Sequence, residues 1–207
     1  LRRLHYVSTC YVSGRHPGVF HEADLDLCQS FNNVYEETKF LAEGAVCEWA
    51  RDGGPATIYR PSSVVGDSDS GATQKYDGPY FVLNLILKQG GVAIVPVLVT
   101  GRARVNLVPR DFVTRAIEFL SARPDTLGGT FHLADPAPHT AREVIGLMGR
   151  LTRRRIMRVH LPHRLADWAA RRVPPVRRWT GIPAGALGYF THPTLYSTAA
   201  TEKALEP

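Results

Sequence analysis

Residues 33–39 read Asn33-Val34-Tyr35-Glu36-Glu37-Thr38-Lys39, and upstream of them stands Leu4-His5-Tyr6-Val7-Ser8-Thr9. A tyrosine and a lysine four apart fall on one face of a helix, one turn from each other. Residues 4–8 are short and apolar enough for a strand, and a helix is expected from Tyr35 to about Arg51, stopped by Gly53-Gly54-Pro55. Ala56-Thr57-Ile58-Tyr59 follows as a second strand and ends at Arg60-Pro61. Strand, helix and strand in succession predict an α/β fold with a parallel sheet.

The same alternation continues outward. Residues 9–32 read as a long loop broken by Gly14, Pro17 and Gly18, and in the helix after it Phe40, Leu41, Ala45 and Trp49 are the expected buried side. Residues 62–78 read as a polar loop, and Pro79 opens a helix through Leu87. A strand at 105–109 precedes a helix at 111–121, with Asp111 expected as its cap. A strand at 130–134 leads to a helix capped by Thr140, with Glu143 completing a capping box, and 156–160 reads as one more strand. Beyond Pro162 the chain reads as helical, with breaks at Pro174-Pro175 and Pro183. The expected division is an α/β part over 1–152 and a basic, mostly helical segment over 153–207.

At 207 residues, 44% hydrophobic and 21% charged, the chain has the composition of a globular protein. No apolar run reaches the roughly 20 residues of a membrane-spanning helix, and a cytoplasmic location is expected. The chain opens on Leu1-Arg2-Arg3 and passes directly into strand-like residues, an abrupt start expected of a fragment. Cys10, Cys28 and Cys47 lack metal-ligand spacing and read as free thiols; no metal site is expected, and His132 and His139 around Asp135 read as polar loop residues. The net charge of +6 is concentrated: ten arginines stand between Arg150 and Arg178 against one acid, Asp167. No nucleic-acid-reading motif accompanies them, so nucleic acid is not an expected partner. The arginines read first as a solvated face; the phosphates of a thiol carrier and an anionic membrane surface are the functional candidates.

Tyr35, Lys39 and Thr9 supply what carbonyl reduction asks of a protein. A tyrosine gives a proton to the carbonyl oxygen, but its ordinary pKa near 10 is high for that work. A neighbouring ammonium stabilises the phenolate and brings the pKa down, and a hydroxyl holds the substrate oxygen. The tyrosine–lysine spacing by itself is a common helix-surface pair; its setting between Ser8-Thr9 and Arg60-Pro61 makes it specific.

In that setting the chain resembles the extended short-chain dehydrogenase/reductases. Tyr6-Val7-Ser8-Thr9 with Val12-Ser13-Gly14 resembles the strand that carries the family's catalytic hydroxyl, which assigns that role to Thr9 with Ser8 beside it. Residues 33–43 resemble the catalytic helix, giving Tyr35 as the acid and Lys39 as the group that tunes it and contacts nicotinamide ribose. Tyr59-Arg60-Pro61-Ser62-Ser63-Val64-Val65-Gly66 resembles the strand end that lies against nicotinamide, and so assigns Pro61, Ser62, Ser63 and Val64 to the cofactor. Ser8, Cys10, Tyr11 and Asn33 are the candidates for substrate contact. Residues 60–68, 77–80, 105–113 and 190–194 narrow the resemblance to the thioester-reductase and fatty acyl-CoA-reductase branch. The implied fold is part of a Rossmann-like sheet with a smaller substrate subdomain. The implied cofactor is NADP(H) rather than NAD(H), and the implied substrate is an acyl thioester on CoA or a carrier protein, reduced to aldehyde or alcohol. The family's GxxGxxG turn follows no strand here, which predicts that the 207 residues by themselves neither hold the cofactor tightly nor turn over. The alternatives are a sugar-nucleotide epimerase or dehydratase, a hydroxysteroid-type dehydrogenase, or a non-catalytic binding module. Against a dehydratase, Cys10-Tyr11 stands where that branch has an Asp-Glu pair.

Overall fold

The computed structural model of the chain describes residues 3–98, 103–161 and 192–206. In chain order it contains β1 (Leu4–Val7), β2 (Gly18–Phe20), α1 (Val34–Arg51), β3 (Ala56–Pro61), β4 (Ser63–Val65), α2 (Pro79–Leu87), β5 (Val92–Leu98) and β6 (Leu107–Pro109). Then follow α3 (Arg110–Ala122), β7 (Thr130–Leu133), α4 (Ala141–Leu151), β8 (Arg155–Leu161), β9 (Thr194–Tyr196) and α5 (Ala199–Leu205). Among the described residues every pairing of the named strands is parallel, as the strand–helix alternation predicts, and one isolated antiparallel bridge joins Arg104 and Thr140. The chain gathers into two compact units that interleave: Leu1–Thr73, Asn106–Ala137 and Pro193–Pro207 in the first, Gln74–Val105 and Pro138–His192 in the second.

In the first unit the main sheet runs in the order β1-β3-β7. Every residue of central β3 is buried, the pattern of a parallel strand covered on both faces. The pairs β2-β9 and β4-β6 complete its strands. Val113, Ala116 and Leu120 of α3 pack with Tyr59, Val108, Phe131 and Leu133 in one apolar cluster. In the second unit β5 pairs with β8, and Val82, Ile86, Ala93, Val95 and Ile145 form the core. That pairing joins segments on either side of residue 152. Helix α4 starts as its sequence predicts, with Thr140 Oγ1 accepting from Glu143 N while the Glu143 carboxylate accepts from Thr140 N.

Several expectations are corrected. The segment 9–32 is not a plain loop: it holds a 3-10 turn, Cys10–Ser13, and strand β2. The loop at 62–78 begins with strand β4, and the apolar run at 92–98 is strand β5. Asp111 does not cap α3 with its side chain; its carboxylate accepts from Ser68 N at 2.9 Å and Ser68 Oγ at 2.8 Å, anchoring the loop after β4. The helices expected beyond Pro162 lie outside the described residues up to 191, after which β9 and α5 appear.

The largest correction concerns α1. Leu41 is 62% exposed and Ala45 and Trp49 are exposed, while Glu36 and Glu43 are the helix's buried residues. A carboxylate goes inside only with partners that replace its water, and both glutamates have them. Of the four expected apolar positions only Phe40 is partly covered, with its ring 5.1 Å from that of Phe31. Among the described residues no helix is long and apolar enough to cross a membrane.

Candidate functional site

The site assembles at the carboxyl ends of β1 and β3, the side of a parallel sheet where ligands bind. The turn after β1 docks on the end of β3 through three successive side chains. Thr9 Oγ1 donates to Pro61 O at 3.3 Å, Cys10 Sγ to Arg60 O at 2.9 Å, and the Tyr11 hydroxyl bonds Ser63 Oγ at 2.9 Å. Thr9 also caps the 3-10 turn, its Oγ1 accepting from Tyr11 N. Burial pushes the Cys10 thiol well up, so this fully buried sulfur packs the turn and is no nucleophile.

Helix α1 is started by Asn33, whose Oδ1 accepts from Glu36 N at 3.0 Å while its Nδ2 donates to Glu36 Oε1 at 3.1 Å. Asn33, a candidate for substrate contact, thus has its amide committed to the cap that sets the helix start. Tyr35 lies in the first turn and is 53% exposed. One turn on, Lys39 Nζ donates to Val7 O at 2.9 Å and to the Tyr6 hydroxyl at 3.4 Å, and lies 4.9 Å from the Tyr6 ring centroid. The ammonium is therefore held at the carboxyl end of β1, directly before Ser8 and Thr9.

Two hydroxyls here are buried with no partner: Ser8 Oγ after β1 and Ser62 Oγ after β3. Such groups are uncommon in protein interiors, and at strand ends they leave hydrogen-bonding capacity for an incoming ligand. Of the residues assigned to the cofactor, Pro61 offers its carbonyl to Thr9, Ser62 is buried, Ser63 bonds Tyr11, and Val64 is 44% exposed. Thr9's 3.3 Å bond to Pro61 O is long for a hydroxyl.

Beneath these residues lies a buried network that the sequence reading did not assemble. The Arg60 side chain is fully buried; Nε and Nη2 donate to Glu43 Oε1 at 2.9 and 2.6 Å. Nη2 also donates to Asp24 O, and Nη1 to Glu22 O and to His132 Nε2 at 3.0 Å. Glu22 in turn accepts from the backbone N–H groups of His132, Ala200 and Thr201, so its carboxylate sits at the start of α5. His132 is a buried residue of β7, not a loop residue. Two signals mark this network in the sequence. Glu43 continues the stripe Tyr35, Lys39 at the next four-residue step, and His132 stands inside the apolar run Phe131-His132-Leu133-Ala134.

With Nδ1–H donating to Ser197 O at 2.7 Å and Nε2 accepting from Arg60, neutral His132 is satisfied on both sides. Burial, helped by the Arg60 charge, pushes its pKa down to about 3, against an ordinary value near 6.5. Between those values the unfolded chain binds the proton that the folded chain refuses. Stability from this site is therefore complete above about pH 6.5 and falls with acidification by up to about 1.4 kcal/mol per pH unit. Denaturant titrations across pH 4–7 should show that slope, and His132→Gln should flatten it; an unchanged slope would mean other groups set the acid sensitivity.

Comparison with known proteins identifies the family and several relatives. A family model described as Male sterility protein matches residues 1–117. The nonribosomal peptide synthetase asaC of Aspergillus flavus is 27% identical over 69% of the chain, which spans 14% of that protein. The glycine betaine reductase ATRR of Emericella nidulans is 34% identical over 53% of the chain and 8% of its own length. Among solved structures, the terminal R domain from the myxalamid PKS-NRPS biosynthetic pathway aligns with a TM-score of 0.76 at 29% identity, covering 98% of this chain and 51% of that one. The chain thus spans a small part of the curated relatives and about half of the R domain.

Proposed function

The chain belongs to the Male sterility protein family of NAD-binding domains, and from that premise we propose that it is the catalytic half of an NADPH-dependent reductase of carrier-bound acyl thioesters. The carrying observation is the Lys39 ammonium fastened to the carboxyl end of β1 by Val7 O, one helical turn from the exposed Tyr35 and next to Ser8 and Thr9. The nicotinamide, when bound, supplies a hydride to the carbonyl carbon. Tyr35 and Lys39 would hold its ribose, and the backbone over 61–64 would lie along its ring.

The chain's own part is proton delivery and orientation. The Thr9 hydroxyl, released from Pro61 O, donates to the substrate oxygen and fixes its direction. Tyr35 gives that oxygen its proton while Lys39 stabilises the phenolate left behind. Loss of the thiol from the reduced thioester gives an aldehyde; a second reduction would give the alcohol. Relatives named as peptide synthetases, together with the R domain of a PKS-NRPS pathway, support a carrier-bound substrate over free acyl-CoA. NADPH over NADH rests on the resemblance to the thioester-reductase branch.

The nucleotide's phosphates need a glycine-rich turn, which we place outside these 207 residues. Joined to a glycine-rich half that holds the nucleotide, these residues should support oxidation of NADPH when given an acyl thioester on a carrier protein. The 207 residues by themselves should not bind NADPH with micromolar affinity. Turnover of a nucleotide sugar in place of the thioester, or micromolar NADPH binding by the short chain, would reject this reading.

A further inference from the structure

The second unit carries a group of arginines that the reductase reading leaves without a role. Helix α4 ends with Arg153 N donating to Arg150 O at 3.1 Å and Arg154 N to Gly149 O at 2.9 Å, with Arg153 at a φ of 54°. This is the helix-ending turn that usually takes glycine at that position; here it takes an arginine. Arg150, Arg153, Arg154, Arg155 and Arg158 surround an open concavity of about 410 Å³, which Gly146 also lines and no acid enters.

One of these charges is already used. Arg154 Nη1 donates to Gly90 O at 2.7 Å and Nη2 to Leu87 O at 3.1 Å, closing the end of α2. Among the described residues Arg150, Arg153, Arg155 and Arg158 enter no ion pair. Two of them converge. A Cβ placed on Gly146 would lie 3.4 Å from Arg158 Nη2 and 3.8 Å from Arg150 Nη1, so both guanidinium groups reach the same spot above the bare helix backbone. Arg158 Nε is shielded from solvent and has no acceptor. Two like charges brought together, with a buried donor lacking an acceptor, lack an anion.

Phosphate suits the arrangement: its several oxygens accept from two guanidinium forks at once, whereas a carboxylate is filled by one. A concavity of about 410 Å³ is far larger than a phosphate group, leaving room for what the phosphate is attached to. We propose that Arg150 and Arg158 bind the phosphate of a soluble phosphate ester, with Arg153 and Arg155 adding charge around it. The site stands on this geometry within the second unit; the choice of a phosphopantetheine ester as its ligand rests on the reductase reading.

Calorimetric titration of the 207-residue chain tests the site without turnover. 4′-Phosphopantetheine should bind at least tenfold more tightly than pantetheine, which lacks only the phosphate, and inorganic phosphate should compete with it. Arg150→Ala/Arg158→Ala should abolish the difference, while Arg51→Ala/Arg115→Ala, which removes the same charge from exposed positions on α1 and α3, should keep it. Arg150→Lys/Arg158→Lys retains charge without the planar fork and should weaken binding about three- to tenfold, a result that misfolding of the alanine variant cannot imitate. Equal binding of the two pantetheines, equal loss in the control variant, or binding confined to phosphatidylglycerol vesicles would overturn the site. Phosphate binding intact in a protein that fails to reduce thioesters would overturn the reductase reading and leave the site standing.

Discussion

Tyr35→Phe, made in a protein that joins these residues to a nucleotide-holding half, should lower thioester reduction by about 100- to 10,000-fold, the usual contribution of a general acid, and leave NADPH affinity within about twofold. The structure makes this substitution unusually clean. The Tyr35 side chain is 53% exposed and its hydroxyl has no protein partner among the described residues, so phenylalanine removes the proton donor and breaks no contact that holds the fold. Lys39→Met is the necessary companion. It removes the bonds to Val7 O and the Tyr6 hydroxyl along with the charge one helical turn from Tyr35, and should lower both turnover and cofactor affinity. A steady-state assay with a separate binding titration distinguishes the two. Turnover retained in Tyr35→Phe would remove the tyrosine from the mechanism.

The second large effect is on stability. Glu43→Gln or Arg60→Met should each destabilise the protein by about 3–5 kcal/mol, because each leaves the other charge buried and unpaired. The Arg60 and Glu43 side chains are 2% and 0% exposed, so water cannot take the missing partner's place. Arg60 is the more exposed to this logic, since its guanidinium also serves Glu22 O, Asp24 O and His132. Arg60→Met/Glu43→Leu should cost clearly less than the sum of the single losses, since no charge is stranded. Chemical denaturation of the four proteins gives the coupling directly. Additive losses would show that the pair acts only by packing. Because Glu43 stands one turn beyond Lys39 on α1, the pair also fastens that helix to β3, and the single variants should lose activity along with stability if Tyr35 and Lys39 act as proposed.

The thiol, the cap and the helix face show where local reading succeeds and where it fails. The capping box at Thr140 and Glu143 and the proline start of α2 were legible because each involves residues within one turn of each other. Strands β1, β3 and β7 are legible from short apolar runs between breakers, whereas β5 acquires its pairing only from β8, about sixty positions away. Asp111 has the position of a cap but bonds Ser68, because the loop after β4 returns to it. Leu41, Ala45 and Trp49 are the expected buried side of α1 because apolar periodicity is the local signal of a helix's interior. The buried side holds Glu36 and Glu43 instead.

What the sequence determined by itself is the set of chemical groups and their spacing along the chain. Tyr35 and Lys39 share a helical turn, Ser8-Thr9 ends a strand, and Arg60-Pro61 ends the next, all consequences of helix and strand repeat lengths. The tertiary structure alone decided which charges lie inside. Glu43 is buried because Arg60 reaches it from β3, His132 stays neutral because it is buried beside the Arg60 charge, and Arg150 and Arg158 meet because the chain reverses after α4. Burial of a charge depends on the partner that replaces its water, and such partners stand far away in the chain.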